Sequence, residues 1–262
     1  MLGAIVGDII GSKYESKNIV DSNFPLFSKD SDFTDDTVLT CATAEKILFG
    51  TSYEEVYRKY AKMYKNRGYG SGFANWVNSS NPCPYNSYGN GSAMRVSPIG
   101  WSFNSYEEVE EESEKSASVT HNHPEGINGA KAVALAIYMA RNKESKQNIV
   151  STITEKYCYN KIESINDIVR KFDVSCQGTV PICLTVLRDT NSFEEAIRTV
   201  ISIGGDTDTN AAIVGSIAEV IYDGVPLDIA SKAISKLSLV LKYIVKSFYE
   251  KYNCEKYGLY FS

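Results

Sequence analysis

Apolar residues recur at helical spacing along most of the 262-residue chain, and no stretch alternates strongly between apolar and polar positions. In residues 52–66, for example, Val56, Tyr60 and Ala61 fall on one helical face. Further helices are predicted over residues 38–50, 105–118, 126–141, 148–159, 165–172, 179–188, 193–203, 210–222 and 227–252. The chain is therefore predicted to be all-α, folded as one compact domain of many short helices over residues 1–262.

The first apolar run, residues 3–11, is rich in glycine and small side chains and is interrupted by Asp8. We predict a closely packed central helix here, with a strand as the weaker alternative, because glycines lower helix propensity unless close packing requires them. A buried aspartate needs a partner. Asp8 either caps a helix or hydrogen-bonds locally, or it supports a binding pocket from behind its ligands, and we favour the structural role.

Composition and charge narrow the classes of function. The net charge is −5 and no basic stripe is present, which argues against a nucleic-acid partner. The six cysteines include no CxxC pair, so we expect buried free thiols in a reducing compartment. No basic segment precedes the first apolar run, and no run is long and apolar enough to span a bilayer. A cytoplasmic location without membrane contact is expected.

Candidate chemistry lies at two predicted helix starts that are far apart in the sequence. Residues 34–37 read Thr-Asp-Asp-Thr, and residues 206–209 read Asp-Thr-Asp-Thr after Gly204 and Gly205, which suit a tight turn. Either motif alone is explained as a helix cap, because the free N–H groups of a helix start attract negative charge. If the two starts face each other, their four carboxylates repel unless cations lie between them. We therefore predict two divalent metal ions bound through oxygen.

Two polar segments are candidates for ligand contact. In the glycine- and asparagine-rich residues 78–91, Gly89 and Gly91 bracket Asn90. This is either a plain turn or a cradle of backbone N–H groups for phosphate. The two histidines, His121 and His123, have a spacing that allows a metal pair, but the acidic motifs already supply oxygen ligands. We expect His121 to contact a ligand and a helix to start near residue 124.

Together these motifs resemble the ADP-ribosylglycohydrolase family, in the same order and over nearly the whole chain. The matching pieces are GDIIGSKYE from Gly7, TDDT from Thr34, SYGNGSAMRVSPIG from Ser87, Thr120-His121, and the most specific, GGDTDTNAAIVG from Gly204. The resemblance implies an all-α fold with two Mg²⁺ or Mn²⁺ ions in a central cleft. It also implies a hydrolase that cleaves the glycosidic bond between ADP-ribose and an acceptor such as an arginine or serine side chain, reversing ADP-ribosylation.

The resemblance also implies roles for individual residues. The metal ligands would be Thr34, Asp35, Asp36, Asp206, Asp208 and Thr209. The catalytic carboxylates would be Glu15 and Asp36, either of which could position or deprotonate the attacking water. The substrate would be held by Ser87, Tyr88, Gly89, Asn90, Gly91, Met94 and His121.

Two other functions stay open at this point. The same metal site could act on another ADP-ribosyl compound or nucleotide, and the family includes crystallin-like members with a structural role. The complete set of oxygen ligands together with Glu15 favours an enzyme. The expected partner is an ADP-ribosylated protein or a small-molecule substrate, and the chain is expected to be a monomer.

Overall fold

The computed structural model describes residues 1–15, 21–168 and 172–252, together with Gly258 and Tyr260. Within these residues the chain is helical, and its only β-type pairing is an isolated bridge between Gly89 and Ser175. The helices are α1 (Leu2–Gly11), α2 (Asp35–Phe49), α3 (Tyr53–Met63), α4 (Ser71–Asn78), α5 (Gly91–Met94), α6 (Ser97–Ser102), α7 (Tyr106–Ser118), α8 (Pro124–Arg141), α9 (Lys146–Lys156), a 3₁₀-helix (Ile165–Asp167), α10 (Cys176–Asp189), α11 (Phe193–Ile203), α12 (Thr207–Ile221), α13 (Leu227–Lys236) and α14 (Leu239–Lys251). The predicted all-α fold is confirmed.

Helix α1 lies at the centre of the fold, and all ten of its residues are buried. It runs antiparallel to α12 and approaches it so closely that side chains would not fit between the two backbones. A Cβ atom added to the α1 glycines would meet α12 carbonyl oxygens, at 2.1 Å for Gly3 and Gly215, 1.9 Å for Gly7 and Ala211, and 2.4 Å for Gly11 and Thr207. The glycines of the first apolar run therefore serve close packing, as predicted.

A buried carboxylate, that of Glu219, joins α1, α12 and α14 at the N-terminal end of α1. Glu219 of α12 accepts hydrogen bonds from the N–H of Gly3 at 2.8 Å and from the amino group of Met1 at 2.6 Å. The hydroxyl of Tyr249 in α14 donates to the second Glu219 oxygen at 2.5 Å. These bonds fix the start of α1, so that its last turn has a defined position beside the start of α12.

Several predicted helix boundaries are wrong for local reasons. Residues 227–252 form two helices, because Ser238 starts a new one by accepting a hydrogen bond from the N–H of Leu241 at 3.3 Å. The helix predicted over residues 165–172 is only the 3₁₀ turn at 165–167, and residues 169–171 lie outside the described residues. Helix α10 begins at Cys176, before the predicted start at residue 179, so Pro181 lies inside the helix.

The cysteine prediction is only partly right. Cys41, Cys176 and Cys183 are buried and free, as expected, but Cys83 and Cys158 are exposed, and Cys254 lies outside the described residues. Among the helices described, none combines the length and apolar character needed to cross a bilayer.

Candidate metal centre and substrate cavity

The N-termini of α2 and α12 meet beside the last turn of α1, as the two acidic motifs predicted. Gly204 and Gly205, with φ of 84° and 81°, make the tight turn that precedes α12. The hydroxyl of Thr209 lies 3.4 Å from Oδ2 of Asp36, so the two motifs are in direct contact. Two groups of carboxylates with oxygens within 4.8 Å of one another result, one formed by Asp8, Asp36 and Asp208 and the other by Glu15, Asp206 and Asp208.

Asp8 supports this arrangement from α1. Its carboxylate accepts hydrogen bonds from the N–H groups of Thr34 and Thr37 at 2.9 and 3.0 Å, and from the hydroxyls of both residues. Asp8 therefore caps α2 from another helix, a role that Thr34 at the helix boundary does not perform with its own side chain. Its carboxylate also belongs to the acidic cluster, next to Asp36 and Asp208.

The donor set of the cluster fits a hard divalent cation. Oδ2 of Asp36 accepts hydrogen bonds from the hydroxyls of Thr34 at 3.2 Å and Thr209 at 3.4 Å. The other oxygen, Oδ1, is buried and has no hydrogen-bond partner among the described residues. A buried carboxylate oxygen without a partner is unfavourable. A cation held by carboxylate and hydroxyl oxygens, as Mg²⁺ or Mn²⁺ would be, satisfies it.

Burial and mutual repulsion raise the pKa values of the clustered carboxyl groups. Burial, followed by the charge of Asp208, raises the pKa of Asp8 to about 7. The same two causes raise the pKa values of Asp35 and Asp36 well above the usual range. Burial and the neighbouring Asp206 raise the pKa of Asp208 to about 7. The cluster therefore attracts positive charge strongly, since protons and cations relieve the same repulsion.

A cavity of about 550 Å³ opens beside the acidic cluster. Most of the predicted site residues line it, namely Glu15, Thr34, Asp35, Ser87, Gly89, Asn90, Gly91, Met94, His121, Asp206, Asp208 and Thr209. Asp36 is not among the lining residues and lies buried behind them. Tyr88 is also absent from the lining, because this residue is 53% exposed and its ring packs edge-on against His123.

For the loop before α5, the sequence left a plain turn and a cradle of backbone N–H groups open, and two of those N–H groups are bonded within the protein. Nδ2 of Asn90 donates to Oδ2 of Asp206 at 2.7 Å and so orients a carboxylate of the cluster. The N–H of Gly89 donates to the Ser87 hydroxyl at 3.2 Å, and the N–H of Asn90 donates to the carbonyl of Val174 at 2.7 Å. Because both amides are bonded within the protein, a phosphate cradle at this turn has to use other donors.

The two histidines have different roles: His123 caps a helix, and His121 lies in the cavity wall. Nδ1 of His123 accepts the N–H of Glu125 at 3.1 Å and caps α8, which begins at Pro124. His121 is 5% exposed and lies in the cavity wall, where a Cβ added to Gly91 would be 3.2 Å from its Nε2. Burial, and to a smaller extent the charge of Arg95, hold the pKa of His121 well below its usual value. The lowered pKa favours the neutral form of the His121 ring.

One side of the cavity was missed by sequence reasoning. Its aromatic and apolar wall consists of Phe33, Phe73, Tyr85, Phe172 and Val174, with Arg67 beside it. The Arg67 guanidinium lies 3.7 Å from the centroid of the Phe33 ring and donates to the Phe33 carbonyl at 2.8 Å. These residues come from separate loops and helices, and no local pattern distinguishes them from ordinary core residues. Of these residues, only Phe33 could have been placed near the site from the sequence, because it directly precedes the first acidic motif.

The raised pKa values predict an unusual pH dependence for chelator-treated protein. Carboxyl groups whose pKa is higher in the folded state stabilise it below their unfolded pKa of about 4 and lose that contribution as the pH rises through about 7. The lowered pKa of His121 makes stability rise with pH instead of fall. It is a single group, however, whereas four carboxyl groups, Asp8, Asp35, Asp36 and Asp208, have raised pKa values. The free energy of unfolding with chelator should therefore fall between about pH 5 and about pH 8.

Urea unfolding monitored by circular dichroism checks this prediction. Excess Mg²⁺ or Mn²⁺ is expected to remove most of the fall, because a bound cation offsets the repulsion. Stability that is flat or rises with pH in chelator, and is indifferent to both metals, would contradict the electrostatic description of the cluster.

Several known proteins are similar to this chain over nearly its full length. A family model described as ADP-ribosylglycohydrolase matches residues 1–250. ADP-ribosylhydrolase ARH3 from Homo sapiens is 26% identical over 310 residues, which cover 86% of this chain and 85% of that protein. The same-named protein from Danio rerio is 24% identical over 309 residues, covering 87% and 83%. A solved structure titled "ADP-ribosylglycohydrolase-related protein complex" superposes with a TM-score of 0.72 at 19% identity, covering 95% of this chain and 96% of that one, and so shares the fold.

Proposed function

This chain belongs to the ADP-ribosylglycohydrolase family, and we propose that it hydrolyses the glycosidic bond between ADP-ribose and a side chain of a modified protein. The observation that carries the proposal is the gathering of carboxylates from two distant motifs at the wall of one cavity. At about 550 Å³, that cavity has the volume usual for small-molecule sites. Its acidic side suits metal-assisted hydrolysis, and its aromatic wall suits the base of a nucleotide.

We propose that six residues hold two Mg²⁺ or Mn²⁺ ions, namely Thr34, Asp35, Asp36, Asp206, Asp208 and Thr209. When bound there, the ions would polarise a substrate oxygen and lower the pKa of a water molecule. Asp8 supports the ligands on α2 by capping that helix, and Asn90 supports Asp206 by a hydrogen bond. These two supporting residues restrict the movement of the ligands while a substrate binds.

Of the two candidate catalytic carboxylates, position favours Glu15 as the base. Glu15 lines the cavity, whereas Asp36 lies behind the lining and accepts hydrogen bonds from Thr34 and Thr209. Burial and the charge of Asp208 raise the pKa of Glu15, which makes it a stronger base than an ordinary carboxylate. We propose that Glu15 takes the proton of the attacking water. The nearby carboxylates stabilise the positive charge that develops on the ribose during glycosidic cleavage.

Release of free ADP-ribose tests the proposed function directly. We expect metal-dependent release from either an ADP-ribosyl-arginine or an ADP-ribosyl-serine peptide, assayed with Mg²⁺, with Mn²⁺ and with chelator. The productive peptide identifies the acceptor linkage, and the productive ion identifies the metal. If neither peptide reacts while calorimetry shows bound metal, the acceptor assignment is wrong, and other ADP-ribosyl compounds become the substrates to assay.

A further inference from the structure

A completely buried arginine, Arg95, belongs to the cavity wall and has no carboxylate partner among the described residues. The side chain of Arg95 has no exposed surface, and among the described residues no Asp or Glu forms an ion pair with it. Its Nη2 donates to the carbonyl of Ser116 at 2.8 Å and to the hydroxyl of Thr120 at 2.9 Å, and its guanidinium lies 4.2 Å from the centroid of the Tyr57 ring. Burying a cation is unfavourable, so these contacts call for a functional explanation.

The hydroxyl of Thr120 connects this arginine to His121. Thr120 Oγ1 lies 2.7 Å from Nδ1 of His121 and 2.9 Å from Nη2 of Arg95. A guanidinium only donates hydrogen bonds, so Thr120 has to accept from Arg95. The Thr120 proton is then directed to His121, because within the described residues no other acceptor is bonded to this buried hydroxyl. Nδ1 of His121 must therefore accept.

The direction of these bonds determines which nitrogen of the imidazole carries the proton. A neutral ring that accepts at Nδ1 has its proton on Nε2. With the proton on Nδ1 instead, the buried Thr120 hydroxyl would lose its acceptor, which is unfavourable. Nε2 lies at the cavity wall, 3.2 Å from the position of a Cβ added to Gly91 and 3.6 Å from one added to Gly89. No hydrogen bond joins Nε2 to another residue of the described chain.

We propose that Arg95 and Thr120 are positioning residues that keep His121 in the tautomer with the proton on Nε2, which faces the cavity as a hydrogen-bond donor to the substrate. The tautomer follows from the geometry alone, whereas ADP-ribose as the ligand rests on the proposed function. The N–H groups of Gly89 and Asn90 in the neighbouring turn are bonded within the protein, so neither is available as a donor to the substrate. The imidazole N–H of His121 thus supplies a donor beside this turn, where those two amides are engaged.

Nitrogen-15 NMR of histidine-labelled protein tests the tautomer without any activity measurement. The chain has only two histidines, and His123→Asn, which keeps a capping side chain at the start of α8, identifies the signals of His121. We expect a protonated Nε2 and an unprotonated Nδ1 in the wild-type protein. A proton on Nδ1 of His121 would overturn the proposal, whatever the enzyme hydrolyses.

Substitutions at Thr120 test the relay, by which we mean the hydrogen bonds that lead from Arg95 through Thr120 to His121. Thr120→Val removes the hydroxyl at nearly constant volume, and the Nδ1-protonated tautomer should then appear in the spectrum. Calorimetric affinity for ADP-ribose should fall about tenfold, and Thr120→Ser should restore both spectrum and affinity. Thr185→Val is the matched control, because Thr185 is a buried threonine whose hydroxyl bonds the Pro181 carbonyl, away from the cavity. A Thr120→Val protein with unchanged spectrum and affinity would overturn the proposal.

Arg95→Leu tests the donor at the start of the relay, and a mixture of His121 tautomers is expected. If this variant does not fold, the wild-type spectrum and the Thr120 variants still decide the matter. If Nε2 carries the proton but the wild-type protein does not bind ADP-ribose, the relay is supported and the proposed function has failed.

Discussion

Replacement of Asp208 by asparagine is expected to reduce turnover by at least about a thousandfold, because a bound metal ion supplies several kcal/mol of transition-state stabilisation and each 1.36 kcal/mol is tenfold in rate. Asp208 is the residue shared by both carboxylate groups of the cluster. Its loss should therefore affect binding of both proposed ions. The measurement is the rate of ADP-ribose release, together with metal titration by calorimetry.

The same substitution is expected to make chelator-treated protein more stable at neutral pH. Asp208 raises the pKa values of Asp8, Asp35 and Asp36, so removing its charge relieves repulsion in the folded state. The matched control is Asp228→Asn, since Asp228 is an exposed aspartate at the same helix position, second in α13 as Asp208 is second in α12. Normal turnover in a folded Asp208→Asn protein would refute the proposed metal mechanism.

Gly7→Ala is expected to lower the free energy of unfolding by about 2 kcal/mol or more, because overlap with rigid backbone places the overpacking cost at or above the upper end of the usual range of about 1–3 kcal/mol, against a gain of about 1 kcal/mol in helix propensity. The new Cβ would lie 1.9 Å from the carbonyl oxygen of Ala211 and 2.7 Å from the N atom of Ala212. Both neighbours are backbone atoms, so no side-chain rotation relieves the overlap, and α1 has to move away from α12.

That movement should reach the acidic cluster, because Asp8 is the next residue and caps α2. We expect weaker metal binding as well as lower stability, measured by calorimetry and urea unfolding. Gly70→Ala is the control for the glycine-to-alanine change, since a Cβ at Gly70 meets nothing within 4 Å and the residue has a negative φ of −57°. A Gly7→Ala protein as stable as wild type would show that the α1–α12 contact is not the tight interface described.

Most of the longer helices and both acidic motifs could be predicted from the sequence because their signals are local, whereas the short helices α4, α5 and α6 were not predicted. Helix starts such as Ser52 and Ser192 hydrogen-bond the N–H of the glutamate three residues later, and Gly50, with φ of 78°, ends α2 as predicted. The hypothesis that the two acidic motifs face each other across cations came from their charge, because four carboxylates close together repel one another unless cations lie between them. The resemblance to a family, whose motifs occur in the same order, then implied a role for each motif.

What the sequence did not reveal depends on contacts between distant segments. The cap that Asp8 supplies to α2 joins two helices, so no spacing along the chain encodes it. The carbonyl of Val174 accepts a hydrogen bond from the N–H of Asn90 only because the segment before α10 lies beside the loop before α5. The residues that form the aromatic wall of the cavity are likewise assembled from separate segments, and each alone resembles an ordinary core residue.

The antiparallel contact between α1 and α12 also affects how the chain acquires its structure during synthesis. Gly3 bonds to Glu219, which lies 216 positions later, so the partner of the first helix leaves the ribosome only after most of the chain. All ten residues of α1 are buried in the finished fold, and an apolar helix without its partner is prone to aggregation until that partner is made. Contacts of such long sequence separation also slow folding. Helix α1 is therefore synthesised well before α12 but is expected to dock late, and the acidic cluster is completed only with that docking.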